Sequence, residues 1–504
     1  MTVNYLNADT ICAMATPHGV SSITVARISG SESFPIACSL FTNNGKSIDV
    51  DLIVSHKVYF GQIIDNEEIL DEGLVSFFKA PHSFTGEDVV EISLHGSLYI
   101  QKRILEILVT HGCRMAEPGE FTRRAFINKK FDLTQAEAIA DLISSESEST
   151  HRLAINQLKG GFSKELQIMR SKLLEMTALM ELELDFSEED VEFADRSQLK
   201  MLLQEILNHV ERLKDSFRFG NAIKNGIPVA IVGQTNTGKS TLLNAILGEE
   251  RAIVSDIAGT TRDTIEETLN INGTIYRFID TAGIRDTDET IERIGIERTF
   301  KKLSEADIVI GMLDGTLPFS QIQQAAEIII SSVDLLKQKL LLLVNKSDLM
   351  DYAGKCSLNE GFLNSMKSCY KNSIETHGGY VTDEYQYSIT GHDLHDLSSL
   401  MRFDCISAKD ARDVENLKTT ISECFNVNFI DNNTVLVTNV RHFEALIHAA
   451  ESLNAVQQGL ENGIPTDLVS RDLRDVLYHL GSITGEITTN EILETIFSRF
   501  CIGK

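Results

Sequence analysis

The eight residues Gly233-Gln234-Thr235-Asn236-Thr237-Gly238-Lys239-Ser240 fit the pattern G-x-x-x-x-G-K-[ST]. They follow the apolar run Val229 to Val232 and precede Thr241-Leu-Leu-Asn-Ala-Ile-Leu247, whose composition suits a helix. That is the strand, loop and helix context a phosphate cradle requires. The glycines let backbone N–H groups wrap phosphate oxygens at a helix N-terminus, Lys239 adds a charge near the β and γ phosphates, and Ser240 offers its hydroxyl to Mg²⁺. Asn236, Thr237, Gly238 and Thr241 complete the expected phosphate contacts. Downstream, Asp280-Thr281-Ala282-Gly283 follows a second apolar run, so Asp280 can hold the magnesium shell while the Gly283 N–H meets a γ-phosphate. Asn345-Lys346-Ser347-Asp348 ends a third run, and Ser407-Ala408-Lys409 follows a later one to close over the base. The Asp348 carboxylate can accept the paired N–H donors that guanine carries and adenine lacks, and an unpaired buried charge is costly, so GTP is selected. Phosphate, metal and guanine elements in this order imply a GTP-hydrolysing domain.

Ile284 stands where signalling GTPases carry the glutamine that orients the attacking water, so hydrolysis must use another residue. The segment Asp286 to Arg298 supplies several carboxylates, among them Glu292 between Ile291 and Arg293. Read alone, Glu292 is more readily a solvent-facing helix carboxylate than a catalytic one.

Strand and helix must alternate to place these motifs. Candidate strands Val229 to Val232, Tyr276 to Ile279, Ile308 to Ile310, Leu340 to Val344 and Phe403 to Ile406 are separated by glycine-rich turns and helical stretches. This alternation implies a mostly parallel sheet with helices on both faces. Residues 1 to about 130 instead mix short apolar runs (Ile23 to Ile28, Leu74 to Phe78, Val89 to Ile92) with Gly, Pro and Asn turns, an α+β texture. No proline lies between Pro118 and Pro228, and Leu166 to Met176 carries apolar residues at helical spacing, so long helices are expected there. Helical periodicity returns beyond residue 430, as in Phe443 to Ala449. The last part of the chain is therefore expected to pack on the helices of residues 132–220, with the sheet domain inserted between them.

The 504 residues allow roughly three domains of ~150 residues each. No apolar stretch reaches the ~18 residues of a membrane span, and the first residues lack a secretory pattern. The eight cysteines contain no CxxC pair, which argues against a disulfide framework or a cysteine zinc site and suggests a cytoplasmic protein. A net charge of −27 argues against general affinity for nucleic acid. The acidic run Glu181 to Asp195 reads as a solvated face or loop.

Together with the nucleotide motifs, Ala80 to Ile92 (APHSFTGEDVVEI), Glu117 to Phe126 (EPGEFTRRAF), Asp132 to Ala138 (DLTQAEA) and the terminal Cys501-Ile-Gly-Lys504 closely resemble the MnmE (TrmE) family of tRNA-modification GTPases. The resemblance implies a multidomain chain: an N-terminal α+β folate-binding and dimerisation domain (1–131), an α-helical domain in two parts (132–223 and 426–504), and an inserted α/β P-loop GTPase (Ras-like) domain (224–425). It assigns Ser255, Asp256, Ile257, Ala258, Gly259, Thr260 and Thr261 to the GTP site. Asn236, Ser255, Ile257 and Thr260 would hold K⁺, Ser240 and Thr261 would hold Mg²⁺, and Glu292 would orient water, the role left vacant at Ile284. The cation would stand where an arginine finger stands elsewhere, a charge worth ~10³–10⁵ in rate. It further implies a 5-formyl-tetrahydrofolate or related folate held by Arg27, Glu91, Lys130 and Lys504, whose charges suit a pterin and its glutamate tail. Cys501 would lie near that site as a catalytic candidate, with an inert packed thiol as the equal alternative. The implied partners are a second copy of the chain, tRNA, and the flavoprotein MnmG, which alone supplies FAD. The implied activity is installation of an aminomethyl-type group at carbon 5 of the wobble uridine.

Two departures from the family pattern stand out. The interval between Asp348 and Ser407 is far longer than a helix and a turn need, so residues 352–401 read as an inserted surface loop. Thr235 stands where relatives often carry proline, which leaves the backbone cradle plausible. A rival reading from another class is a GTP-gated assembly protein in which hydrolysis only times binding.

Overall fold

The computed structural model describes residues 9–43, 45–65, 68–185, 196–248, 267–279, 303–335, 337–350, 387–389, 392–394, 401–425, 434–498, 500 and 502–503. The chain forms two compact units. One comprises Met1–Ser144, Ala154–Asp215 and Asn439–Lys504, the other Ser145–Leu153 and Ser216–Thr438. Among the described residues no helix is long and apolar enough to cross a membrane.

The first unit is built on an eight-stranded sheet. Its strands are β1 (Ile11–Met14), β2 (Ser21–Ser29), β3 (Phe41–Asn43), β4 (Lys46–Ser47), β5 (Lys57–Asp65), β6 (Glu68–Phe78), β7 (Val89–Gly96) and β8 (Arg114–Met115), in the order β4-β3-β5-β6-β7-β2-β1-β8. Every neighbouring pair is antiparallel except β1 with β8. Alternation along the strands gives the sheet two faces. Ile28, Ile63, Val75, Phe77 and Ile92 join Phe34, Leu40, Ile104 and Leu108 of helices Ser33–Leu40 and Leu98–Thr110 in one core. On the other face Val58, Phe60 and Leu74 stay exposed, with Phe60 directly opposite Leu74.

The helices of this unit follow the proline-free spacing. Helix Leu133–Ile143 opens with a capping box, in which the Asp132 carboxylate accepts the Gln135 N–H and Gln135 reaches back to the Asp132 N–H. Helix Gly161–Asp185 buries Leu166, Met169, Leu173, Met176 and Met180 along one stripe and packs on helix Thr466–Thr484. The first residues of the acidic run, Glu181 to Asp185, thus continue a helix; the rest lie outside the described residues. Helix Thr466–Thr484 in turn packs on Val440–Glu461, which contains the expected Phe443 to Ala449 stretch. At Gly485 the chain turns at φ 82°, where a Cβ would meet the Phe126 ring at 2.8 Å, so only glycine ends the helix here. Phe497 and Phe500 then bury against Leu133 and Ala136.

The second unit contains a six-stranded sheet in the order β10-β11-β9-β12-β13-β16. The strands are β9 (Ile227–Gly233), β10 (Glu267–Ile271), β11 (Thr274–Ile279), β12 (Ile308–Asp314), β13 (Lys339–Asn345) and β16 (Met401–Cys405). All pairs are parallel except β10 with β11 at the edge. The central strands are apolar throughout because both faces are covered. One core joins Val309, Leu340, Leu342 and Val344 to Ile322, Ala326 and Ile330 of helix Phe319–Ser331. The other joins Val229, Ile310, Leu341 and Leu343 to Leu242, Leu243 and Ile246 of helix Lys239–Leu247 and to Leu417 and Ile421 of helix Ala411–Cys424. Of the five expected strands, the last ends one residue early, at Cys405; past the bond from the Ile406 N–H to the Val344 carbonyl, the Ile406 carbonyl turns to accept the Ser347 N–H beyond the end of β13. Within the interval 352–401, β14 (Tyr387–Ile389) and β15 (His392–Leu394) pair antiparallel and Met401 already begins β16; the other residues lie outside the described set.

Candidate functional site

Four strands of the parallel sheet end side by side, and three of them hand the chain to a segment singled out by sequence. β9 ends at Gly233, β12 at Asp314, β13 at Asn345 and β16 at Cys405, just before Ser407. The carboxyl edge of an open parallel sheet is where such folds bind ligands.

The loop from Gly233 to Lys239 is shaped by close approach. At Gly233, φ 153°, a Cβ would come within 2.3 Å of the Met312 carbonyl, and at Gly238, φ 98°, within 2.2 Å of Asn345 Nδ2. Asn236 is also left-handed, at φ 61°. Thr237 is buried and its hydroxyl donates to the Gln234 carbonyl at 2.9 Å. The Lys239 ammonium donates to the carbonyls of Gly233 and Gln234 at 2.8 and 2.7 Å, and burial pulls its pKa below the ordinary lysine value. Gly238 caps helix Lys239–Leu247, so Ser240 falls in its first turn and the exposed Thr241 just after it. The first-turn N–H groups and the positive end of the helix dipole converge there, an arrangement suited to phosphate.

Asn345 ties this loop to the base side. Its Nδ2 donates to the Thr237 carbonyl at 2.8 Å and its Oδ1 accepts the Ala408 N–H at 2.9 Å. Ser347 donates its N–H to the Ile406 carbonyl at 3.1 Å, which brings Asp348 beside Ser407, whose hydroxyl donates to Asp348 Oδ1 at 2.8 Å. Lys346 is left-handed at φ 65° and its ammonium meets Asp314 Oδ2 at 2.5 Å; Lys409 is exposed. The structure thus brings Thr237, Asn345, Asp348, Ser407 and Ala408 together.

Ser255, Asp256, Ile257, Ala258, Gly259, Thr260, Thr261, Asp280, Thr281, Ala282, Gly283 and Glu292 lie outside the described residues, as do Cys501 and Lys504. Among the described residues no cluster of three or more His, Cys, Asp or Glu could hold a metal ion.

A second polar site lies in the sheet of the first unit. Arg27 on β2 faces Glu91 on β7 in register, and its guanidinium donates from Nε and Nη2 to Glu91 Oε1 at 2.9 and 2.8 Å. Glu91 Oε2 accepts no hydrogen bond among the described residues. Arg27 also lies over the rings of Phe84 and Phe121, at 5.1 and 5.7 Å from their centroids, and donates to the Gly503 carbonyl at 3.4 Å. Gly503 sits so close that a Cβ would meet the Met14 carbonyl at 2.0 Å. The penultimate residue is thereby drawn to Arg27, although nothing local in the sequence connects them. Lys130 is exposed and donates to the Pro81 carbonyl at 2.9 Å.

Sequence reasoning missed Asp314 and Asp413, and gave no role to Phe84 and Phe121 although both lie within the quoted signatures Ala80 to Ile92 and Glu117 to Phe126. The signal available for Asp314 was an acidic residue closing an apolar strand just before a glycine.

Two family models match the chain: the MnmE helical domain over residues 133–501 and the GTP-binding protein TrmE N-terminus over residues 10–130. The tRNA modification GTPase MnmE of Bacteroides thetaiotaomicron is 48% identical over 504 residues, covering 99% of this chain and 100% of that protein. The protein of the same name from Porphyromonas gingivalis is 45% identical over 502 residues, covering 99% of this chain and 98% of that one. Among solved structures, a GTP-binding protein from Sulfolobus solfataricus in complex with GDP is similar at 18% identity, covering 55% of this chain and 71% of that one with a TM-score of 0.25, a level from which nothing about this chain follows.

Proposed function

The chain belongs to the MnmE family of tRNA modification GTPases, and from that premise we propose that it is a potassium-dependent GTP hydrolase that works with a flavin-dependent partner of the MnmG type. The pair installs a carboxymethylaminomethyl or aminomethyl group at carbon 5 of the wobble uridine of certain tRNAs, using a folate one-carbon unit. The name shared by its relatives supports modification over a GTP-gated assembly role.

The observation that carries the folate part is the pairing with Glu91 of Arg27, whose guanidinium also lies over two phenylalanine rings. Arg27 occupies only one oxygen of Glu91, which leaves Oε2 to accept the N–H donors of a pterin, and the partly exposed Phe84 ring offers flat apolar surface to it, while Phe121 is buried beneath Arg27. Lys130 and Lys504 supply cations for a glutamate tail, and Cys501 adjoins the same terminal segment. A bound folate would supply the one-carbon unit. The exposed apolar face of Val58, Phe60 and Leu74 supports a homodimer, since such patches on a stable protein are usually covered. Replacing Glu91 with glutamine is expected to weaken binding of 5-formyl-tetrahydrofolate by about tenfold or more, the scale of a charged hydrogen bond, while GTP turnover stays at the wild-type rate. Calorimetric titration measures this, and equal affinity in both proteins would remove Glu91 from the site.

In the second unit the loop amides and Lys239 hold the phosphates, Ser240 and Thr261 hold Mg²⁺, Glu292 orients the attacking water, and Asp348 selects guanine. Asn236, at φ 61° in the loop, is the member of the expected potassium set that lies among the described residues. A potassium ion there would supply positive charge where the transferring phosphoryl group accumulates negative charge. Exchanging potassium for sodium at constant ionic strength is therefore expected to lower kcat by roughly 10³-fold, the lower end of what an arginine finger supplies. Equal turnover in the two salts would sink the potassium assignment while leaving the fold untouched. The protein's acidic balance supports a division of labour in the cytoplasm in which the partner contributes most of the tRNA-binding surface.

A further inference from the structure

Two carboxylates outside the nucleotide motifs brace the guanine pocket from opposite sides. Asp413 lies in the first turn of helix Ala411–Cys424, where its charge also suits the helix dipole. Its Oδ2 accepts the Ser407 N–H at 2.7 Å, and Ser407 in turn donates its hydroxyl to Asp348 Oδ1 at 2.8 Å. Ser407, the middle link, is 5% exposed, Asp413 is half-buried, and Asp348 at the far end is exposed, open to a base. The carboxylate that must accept two guanine N–H groups is thus aimed by a residue six positions beyond the motif serine.

Asp314 holds the other wall. It ends β12 directly opposite Asn345 at the end of β13. Its Oδ1 accepts the N–H and hydroxyl of Thr316 at 3.0 and 2.7 Å, which leaves Oδ2 to hold the Lys346 ammonium at 2.5 Å. Burial raises the Asp314 carboxyl, but Lys346 and Thr316 outweigh it and keep its pKa below the ordinary value. The turn is pressed onto the motif, since the Gly315 N–H donates to the Asn345 carbonyl at 2.9 Å and a Cβ at Gly315 would meet Met350 Sδ at 2.6 Å. Lys346 is therefore stretched between its own left-handed backbone and a fixed anchor, and its methylene chain becomes a defined wall rather than a mobile one.

We propose that Asp413 and Asp314 are positioning residues for the base: Asp413 sets selectivity for guanine by orienting Asp348 through Ser407, and Asp314 sets affinity for the purine by holding Lys346 in place. The two roles separate with ITP, whose base keeps the ring N–H but lacks the exocyclic amine that Asp348 also reads.

The test is steady-state hydrolysis of GTP and ITP by the full chain, with thermal unfolding as a check on folding. Asp413→Ala is expected to lower the GTP-over-ITP ratio of kcat/KM by about tenfold, carried by KM rather than kcat, because a misaimed carboxylate no longer rewards the extra amine. Asp413→Asn keeps an acceptor oxygen and should restore most of the ratio. Asp314→Asn should instead raise KM for both nucleotides by the same factor, about tenfold, leaving their ratio unchanged. Should Asp413→Ala fail to fold, Ser407→Ala breaks the same chain at its next link and should lower the ratio alike. A GTP-over-ITP ratio within twofold of wild type in Asp413→Ala and Ser407→Ala, or a fall in kcat at constant KM in Asp314→Asn, overturns the proposal.

Discussion

Replacing Lys239 with alanine is expected to reduce GTP turnover by about 10³-fold at saturating nucleotide, measured as phosphate release, which corresponds to about 4 kcal/mol of lost transition-state stabilisation. That exceeds the ~1.5–3 kcal/mol of an ordinary charged hydrogen bond, and the surroundings of Lys239 explain the excess. Its ammonium is held by two carbonyls of its own loop, partly buried, with its pKa lowered by that burial. A cation already drawn out of water needs no further reorganisation when charge grows on a phosphate beside it, and it acts there through a low dielectric. Lys239→Arg should not rescue, because a planar guanidinium cannot take the place of a compact ammonium in a loop where Gly233 and Gly238 lack room even for a Cβ. Turnover within tenfold of wild type in the alanine variant would mean that the loop amides alone hold the phosphates.

Removing the charge of Glu137 is expected to destabilise the first unit by about 3–5 kcal/mol, because buried His442 and half-buried Arg441 are left with nothing to neutralise them. Glu137 is 7% exposed and sits between the first turn of helix Val440–Glu461 and its own helix Leu133–Ile143. Arg441 donates from Nε to its Oε1 at 3.0 Å and from Nη2 to its Oε2 at 3.1 Å, and His442 Nε2 lies 2.7 Å from the same Oε2. Arg441 also donates to the carbonyls of Ser482 and Ile483, so one guanidinium joins three helices. Two basic residues at a helix N-terminus oppose its dipole, which makes the carboxylate still more necessary.

The pH dependence follows from the direction of its shift. Burial alone would raise the Glu137 carboxyl, but His442 and Arg441 outweigh it and bring its pKa down to about 2. With an unfolded-state pKa of about 4.3, the stabilisation is complete above that value and is lost as pH falls toward 2. Glu137→Gln keeps the shape and removes the charge, so the variant should melt on the order of 10 °C lower near neutrality. Its stability should also lack the acid-side decline that the wild type owes to this group. Calorimetry between pH 2.5 and 7 measures both, and parallel melting curves for the two proteins would show that Glu137 contributes no charge interaction.

What could be read from sequence was whatever is local in the chain. The phosphate loop is a strand, a turn and a helix start within a dozen or so residues, and its glycines, lysine and serine do their work through neighbouring backbone. The strands that carry the remaining motifs are apolar because a parallel sheet is covered on both faces, a property each segment displays by itself. The proline-free stretch and the helical spacing of Leu166 to Met176 likewise announce helices before any packing is known. Tertiary structure alone decided the pairings between residues far apart. Arg27 meets Glu91 across 64 positions because β2 and β7 are neighbours in that register, and Glu137 meets Arg441 across 304 positions because helices from the two ends of the chain pack together. Asp314 and Asp413 acquire their partners only when strand ends and a helix start converge on one edge of the sheet. A side chain's chemistry is written at its own position, whereas its partner depends on strand order and helix packing, which the whole chain settles at once by burying its apolar surface.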